Sequence, residues 1–386
     1  MLIFSCMVII LSLVSGLLML WRIPNAGPAS TCSSDQPDLS KSGADKPVSR
    51  ASETVSIIIP ARNEALRLPP LLQSLNQQDI RPHELIVVDD HSTDDTAKIA
   101  RAAGAAVIQS GQLDGFWIGK SRACWSGAHA ATGDWLLFLD ADTKLDQPDS
   151  LRRLLATFRS LGGRGSLSFQ PFHTVVHYYE SLSAIFNIIV MAGMNVFTPW
   201  GERFRSTGLF GPCLICMRDD YFAVGGHEAI RGSVMDDLAL GDSFHRAGLP
   251  VHCFGGRELI SFRMYPEGIR QQFEGWTKNF SSAATTINPL VFAMIVCWIC
   301  GGFSIMTLPI SAIRESNPVW IPICIAAYIA YALLLVWLAR RTGHFHAFLL
   351  VLFPIQLIYF TLLFAWSLYL TKIRHSVSWR GRKIKV

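Results

Sequence analysis

Charge is scarce in this chain. Asp, Glu, Lys and Arg supply 16% of its 386 residues, while half are hydrophobic; ordinary soluble domains are about a quarter charged. That balance disfavours a wholly soluble protein. A disulfide framework is missing as well. Of nine cysteines, Cys6, Cys297, Cys300 and Cys324 lie in apolar runs, and the Cys213-x-x-Cys216 pair has no second pair at zinc-finger spacing. Small apolar packing residues are the expectation for them. No basic stripe interleaved with aromatics is present, so no nucleic-acid partner is expected. Internal repeats are absent too.

The apolar residues come in blocks. Leu2 to Leu20 carries no charge, and Pro289 to Ile313, Val319 to Leu338 and Ala347 to Leu370 form three more blocks. Each approaches or exceeds the roughly 20 residues that cross a bilayer. The first block lacks the basic leader of a secretory signal, and Ala26 to Ala29 is a weak cleavage site, so an uncleaved anchor is expected. The tail holds Lys372, Arg374, Arg380, Arg382, Lys383 and Lys385, which suits either an anionic leaflet or solvent. The expected organisation is an anchor at 1–21, a linker at 22–53, an α/β core at 54–280, a membrane region at 289–371 and a basic tail at 372–386.

Within the core, strand and helix patterns alternate. Val55 to Pro60, Glu84 to Asp89, Ala105 to Gln109 and Trp135 to Leu139 read as short buried strands. Helices are expected over Glu64 to Gln77, capped by Asn63, after Ser92 or Thr93, and over Lys120 to Ala131. Strands apolar on both faces and joined by helices make a mainly parallel sheet. Ligands of such sheets bind beyond the carboxyl ends of the strands. Asn63, Asp90 and Asp140 all fall there. Further along, Ser183 to Phe197 fits a core helix or an interfacial one, with the interfacial reading slightly favoured.

Asp140-Ala-Asp142 closes a buried strand, and Asp89-Asp90 closes an earlier one. Two carboxylates one residue apart at a strand end can converge on a hard cation, Mn²⁺ or Mg²⁺, able to neutralise a diphosphate; a simple turn is the plainer reading of Asp140 and Asp142. Asp90 suits a nucleoside's hydrogen-bond donors. Asp236-Asp237 is either a general base or an acidic helix start. His227 lines a site loop or occupies a turn. His173 and His177 share a helical face if that segment is a helix, without a third metal ligand. Gln272 and Trp276 also share a face, where the indole would lie over a ligand or at a membrane interface.

Together these segments resemble family-2 glycosyltransferases of the GT-A type. The resemblance rests on Ile59-Pro60-Ala61-Arg62-Asn63-Glu64, Val87 to Asp94, Gly119-Lys120-Ser121, Leu139 to Asp142 and Asp236 to Leu240. It covers Val55 to Trp276. It implies a GT-A nucleotide-sugar-binding domain, with Pro60, Arg62, Asn63, Glu64, Asp90 and Lys120 contacting a UDP-sugar donor. Asp140 and Asp142 would hold the diphosphate and metal, and Asp237, beside Asp236, would be the base. Processive members carry Gln-x-x-Arg-Trp, and Gln272-Phe-Glu-Gly-Trp276 has glycine in place of the arginine. That points to single transfer rather than polymer synthesis.

A closer likeness, in Asp114 to Ser121, Ser183 to Asn187, Gly193 to Phe197, Phe262 to Gly268 and Glu274 to Lys278, is to membrane members that act on C30 carotenoid acids. It implies UDP-glucose as donor and a lipid-soluble carotenoid acceptor, with the membrane helices presenting it from the cytoplasmic face. A carboxylic acid, of pKa about 4, is already ionised at neutral pH. The acidic pair is then less essential than in transfer to a hydroxyl, and Arg263 and Lys278 are candidates to hold the acceptor carboxylate. Rival expectations are another lipid acceptor (a polyprenyl phosphate or diacylglycerol), a nucleotidyltransferase, or a non-catalytic membrane scaffold. The nucleotidyltransferase would want a Gly-rich loop where Pro60 to Glu64 stands.

Overall fold

The computed structural model describes residues 2–27, 53–111, 117, 120–233, 235–279, 287–315, 318–374, 376–379 and 382–385. The chain forms two compact units. One comprises 24–172 and 208–262; the other comprises 1–23, 173–207 and 263–386.

The first unit is α/β. Its elements run β1 (Val55–Ala61), α2 (Leu68–Asn76), β2 (Glu84–Asp89), α3 (Thr96–Ala102), β3 (Ala106–Gln109), α4 (Ser121–Ala130), β4 (Trp135–Leu139), β5 (Thr143–Leu145), α5 (Ser150–Ser160) and β6 (Ser166–Gln170). The two residues of β7 (Phe172–His173) pass from one unit to the other. Then follow β8 (Cys213–Met217), α7 (Arg218–Ala223), α8 (Gly226–Ala229), α9 (Asp236–Arg246), β9 (Val251–Gly255) and β10 (Ile260–Phe262). The helix that precedes the unit in the chain is α1 (Leu2–Met19).

Seven strands form a sheet in the order β3-β2-β1-β4-β8-β6-β9. Every pairing is parallel except those of β8, which runs against both β4 and β6. The expected mainly parallel sheet is therefore present. Strand alternation divides the core. Ile57 and Ile59 pack with α2 and α5, and Ile58 with α4. Gly127 lets α4 lie on β1, since a Cβ there would sit 2.4 Å from Ile58 Cγ2. Beside the sheet, β10 pairs antiparallel with β5, with Phe262 opposite Thr143.

Several boundaries differ from the sequence expectation. The first core helix starts at Leu68, not Glu64, because Asn63 is left-handed (φ 52°) and the backbone N–H of Glu64 bonds Thr96 Oγ1 at 2.8 Å. Of the expected linker, 28–52 lie outside the described residues. Its first residues are docked: Gly255 N donates to Pro24 O, and Arg153 to the carbonyls of Ala26 and Gly27. The Cys213–Cys216 pair straddles the sheet, one thiol in each core layer, both fully buried.

The second unit is helical: α1, a 3-10 turn at Tyr178–Ser183, α6 (Ala184–Gly193), α10 (Ile269–Asn279), α11 (Pro289–Glu315), α12 (Trp320–Thr342), α13 (Ala347–Val351) and α14 (Phe353–Lys372), then an antiparallel pair of strands, β11 (Ser376–Trp379) and β12 (Arg382–Lys385). Among the described residues, four helices are long and apolar enough to cross a membrane: Leu2–Met19, Pro289–Glu315, Trp320–Thr342 and Phe353–Thr371. The last expected block is broken ahead of Pro354, which lies in the first turn of α14 and, lacking an N–H, suits that position. Helix α6 is buried along nearly all its length. It is a core helix of this unit, contrary to the favoured interfacial reading, because its apolar residues encircle it instead of forming one stripe.

Candidate active site

The carboxyl edge of the α/β sheet gathers charge. Where β4 ends, the Asp140 carboxylate accepts from Lys120 Nζ at 2.6 Å. Lys120 stands immediately before α4 and also donates to Gly211 O at 3.1 Å. Gly211 is brought here because β8 runs antiparallel to β4, with Asp140 N bonded to Pro212 O. From a third direction, Asp236 and Asp237 begin α9. Asp237 lies 3.9 Å from Lys120 Nζ, and Ser121 Oγ donates to Asp236 at 3.3 Å. A side chain at Gly211 would collide with the Asp237 carboxylate, its Cβ 1.9 Å from Oδ2. The acidic helix start is present, and the same pair joins the charged cluster around Lys120.

Burial alone would lower the pKa of Lys120, but Asp140, Asp237 and Asp236 hold its ammonium well above the ordinary lysine value. The lysine is a fixed cation. Asp140 and Asp237 remain 28% and 30% exposed, so a soluble anion–cation pair can reach them. Asp142 lies two residues beyond Asp140 and is half-buried.

These residues fit a divalent cation of the hard, oxygen-seeking kind. Their donors are carboxylates, and Asp140 already draws an ammonium. Among the described residues, no three His, Cys, Asp or Glu side chains form a ready cage. Mg²⁺-like ions are commonly held by one or two carboxylates together with substrate phosphates, and Asp140 and Asp142 match that arrangement.

At the neighbouring strand ends the loop Pro60-Ala61-Arg62-Asn63-Glu64 crosses to the loop after β2. Asp90, 8% exposed, accepts from Ser110 Oγ at 2.7 Å and from Arg62 Nη1 at 3.3 Å. Asn63 N donates to Ser92 Oγ, and Asn63 Oδ1 accepts from Thr93 N. Glu64 pairs with Arg67 at 2.7 Å. The structure therefore brings Arg62, Asn63 and Asp90 together, with Asp90 held by two partners and not acting as a helix cap. Residues 112–116 and 118–119, which carry part of the Asp114 to Ser121 likeness, lie outside the described residues.

His227 is buried rather than lining a loop. Its N–H donates to the Tyr221 hydroxyl at 3.2 Å, and that hydroxyl meets Nδ1 at 2.9 Å. Desolvation, helped by the charge on Lys120, pushes its pKa down to about 3.

In the helical unit, the other candidates converge on the turn Tyr178–Ser183. Trp276 Nε1 donates to Ser183 Oγ at 3.0 Å. Gln272, with its amide turned to satisfy both ends, accepts from Ser183 N and Oγ and donates to Tyr179 O at 3.0 Å. Both side chains are buried, and Trp276 stacks on Phe186 at 4.8 Å. Arg263 is ion-paired to Glu180 at 2.6 Å. Lys278 lies in α10, its side chain outside the described residues. His173 and His177 do not share a helical face. His173 is buried in β7 against Asn187, and His177 precedes the turn in extended backbone.

Sequence reasoning passed over Gly211, Ser110 and Glu180. For Glu180 a signal existed, since it is the lone acid between Asp149 and Glu202.

Residues 56–205 match the model of glycosyl transferase family 2. The chain is similar to a Staphylococcus aureus (strain USA300) protein named 4,4'-diaponeurosporenoate glycosyltransferase, 36% identical over 86% of this chain and 89% of that one. Its backbone is similar to that of a Pyrobaculum calidifontis mannosyltransferase solved with GDP-Man and Mn²⁺. That likeness is 18% identical, has a TM-score of 0.50, and covers 95% of this chain and 99% of the other; it speaks for the fold. With a matching family model on its α/β core and a relative this similar along most of its length, the chain belongs to glycosyltransferase family 2.

Proposed function

We propose that this protein transfers glucose from UDP-glucose to the carboxylate of a C30 carotenoid acid, with inversion, forming a glycosyl ester. The observation that carries the reading is the convergence of Asp140, Lys120 and Asp237 at the carboxyl edge of the sheet, in a chain 36% identical to a relative named for a carotenoid acid. Asp140 and Asp142 would hold Mn²⁺ or Mg²⁺; when bound, such an ion supplies neutralisation of the diphosphate leaving group. Lys120 adds its own positive charge to the diphosphate. Asp90, set by Ser110 and Arg62, serves the nucleoside, with Pro60, Asn63 and Glu64 shaping the loop beside it.

In the reaction, one oxygen of the acceptor carboxylate attacks the anomeric carbon as the bond to UDP breaks, and UDP departs with that electron pair. No proton need be removed, because the acceptor is already ionised. Asp237 and Asp236 then orient the donor sugar or acceptor more than they act as bases. Arg263 and Lys278 are the candidates to hold the acceptor carboxylate, with Gln272 and Trp276 bracing the helix that carries Lys278.

The proposed setting is the membrane, with the α/β core in the cytoplasm. Three crossings, α1, α11 and α12, followed by a re-entrant α13–α14, would keep Arg340, Arg341 and the basic tail on one side, as the positive-inside tendency asks. Hydrogen bonds within the helical unit support this. His346 N and Gln356 Nε2 bond Ser181, and Ser367 Oγ bonds Thr277 O at 2.7 Å, so the segment is tied to the Tyr178–Ser183 turn early on and to α10 near its end. Between them, Phe353 packs on Tyr328 and Tyr331, about halfway along α12.

The test is transfer of label from UDP-glucose, with Mn²⁺, to a C30 carotenoid acid in membranes containing the full chain, wild type against Asp142→Ala. Label in the carotenoid fraction, lost at least a hundredfold in the variant, is expected. Metal-dependent UDP binding without transfer would keep the enzyme class and redirect the acceptor to a polyprenyl phosphate or diacylglycerol.

A further inference from the structure

Arg263 and Glu180 form a site with an unused edge. The Glu180 carboxylate is 2% exposed. One oxygen accepts from Arg263 Nε at 3.1 Å and Nη2 at 2.6 Å; the other accepts from the backbone N–H of Val176 at 2.6 Å and of His177 at 3.3 Å. Burial pushes the Glu180 pKa up, but Arg263 and those N–H groups outweigh it and hold it below the ordinary value. It is a permanent anion sealed inside the unit.

A guanidinium presents five donors in a planar fork. Glu180 takes the Nε/Nη2 side. The end edge, Nη1 with the second Nη2 hydrogen, has no hydrogen-bond partner among the described residues and keeps two parallel N–H groups, and the arginine side chain is one-third exposed. That edge has the geometry of bidentate carboxylate recognition.

The neighbouring residue fixes the same segment. Tyr179 Oη donates to Tyr265 O at 2.8 Å and accepts from Gly268 N at 3.0 Å. Two consecutive residues of one turn thus clamp the stretch Arg263 to Gly268 at its start, middle and end. Gly268 closes it at φ 119°, which suits glycine.

We propose that Arg263 is the seat of the acceptor carboxylate and that Glu180 is the positioning residue which aims its free edge. This rests on the carotenoid-acid reading above. It makes a distinction that a bracing role would not: Glu180 and Arg263 should matter for a long apolar acceptor ending in a carboxylate, and not for the same polyene ending in a primary alcohol.

The experiment uses the full chain in membranes. It measures KM for the C30 acid, the inhibition constant of the matching alcohol, KM for UDP-glucose, and Mn²⁺-dependent UDP binding. Arg263→Gln is expected to raise KM for the acid roughly tenfold to a hundredfold, the range for a lost hydrogen bond to a charged group. The other three readings should stay within about twofold. Glu180→Gln should show the same pattern with a smaller rise, roughly threefold to tenfold, and Arg263→Lys should recover only part, because an ammonium lacks the fork. Equal weakening of acid and alcohol would overturn the proposal in favour of a structural brace. So would loss of acid binding in Lys278→Met but not in Arg263→Gln. If Glu180→Gln fails to fold, the acid–alcohol comparison in Arg263→Gln, at a partly exposed side chain, still decides. Wild-type protein that binds UDP with Mn²⁺ but neither polyene would overturn the acceptor reading itself, an outcome distinct from any of these.

Discussion

Each unit of this protein holds a 2.6 Å ion pair, Lys120–Asp140 in the α/β unit and Arg263–Glu180 in the helical one. The distances match and the environments do not. Asp140 is 28% exposed and has Asp237 near the same ammonium; Glu180 is 2% exposed and filled by backbone N–H groups. An open carboxylate can exchange one counter-ion for another. A sealed one cannot, so its effect passes to its partner, which it orients. The first kind of pair is suited to taking up and releasing a charged ligand, the second to presenting one side chain at a fixed angle.

The sharpest way to break that comparison is to remove the cation from the open pair. Lys120→Met leaves Asp140, Asp236 and Asp237 facing each other without a counter-charge. Transfer is expected to fall about a hundredfold, by the loss of a charge at the diphosphate. Mn²⁺ binding without nucleotide, followed by the paramagnetic signal of the free ion, should tighten, while UDP affinity falls. Unchanged Mn²⁺ affinity would mean that the lysine does not compete for Asp140.

The next effect tests whether the sealed region is a brace. Ser183 Oγ meets both Gln272 and Trp276, all three buried. Ser183→Ala removes the hydroxyl to which Trp276 Nε1 donates and which Gln272 shares with Ser183 N, at a cost of about 1–3 kcal/mol. The expected result is a lower unfolding midpoint in detergent with Mn²⁺-dependent UDP binding kept. A variant as stable as wild type would show that the turn is not what holds α10.

Why was the open pair legible in the sequence and the sealed one only half so? Strand ends are marked by where an apolar run stops, and Asp90 and Asp140 each follow such a run. The parallel order of β1, β2, β3 and β4 then places them on one edge. The antiparallel β8 was not foreseen, so the approach of Gly211 to Lys120 was invisible. Asn63 looked like a cap because Asn caps helices, but its left-handed backbone and its bond to Thr93 belong to a loop crossing that depends on residues 30 positions away. Gln272 and Trp276 were correctly paired by helical spacing. Which way that face turned depended on Ser183, a contact 89 residues distant for Gln272, and no local pattern encodes it.

The smallest expected effect is shared by both units, and it limits how far they can be treated as different. Among the described residues, each buries one histidine: His227 beside Tyr221, and His173 beside Asn187. Desolvation is the first cause in both, lowering the pKa to about 3 for His227 and about 4 for His173. A base whose folded pKa lies below its unfolded value of about 6.5 binds fewer protons folded than unfolded. Stability from each is therefore complete well above pH 6.5 and is lost as pH falls from there toward the folded value. Between pH 7 and pH 6 the loss is roughly 0.7 kcal/mol per histidine. In His227→Gln the side-chain oxygen can still accept from the Tyr221 hydroxyl, but nothing there titrates. The unfolding midpoint should then drop less between pH 7 and pH 6 in this variant than in wild type. An equal drop in the two proteins would place the acid sensitivity elsewhere, in carboxylates such as Glu180 whose lowered pKa acts further down the scale.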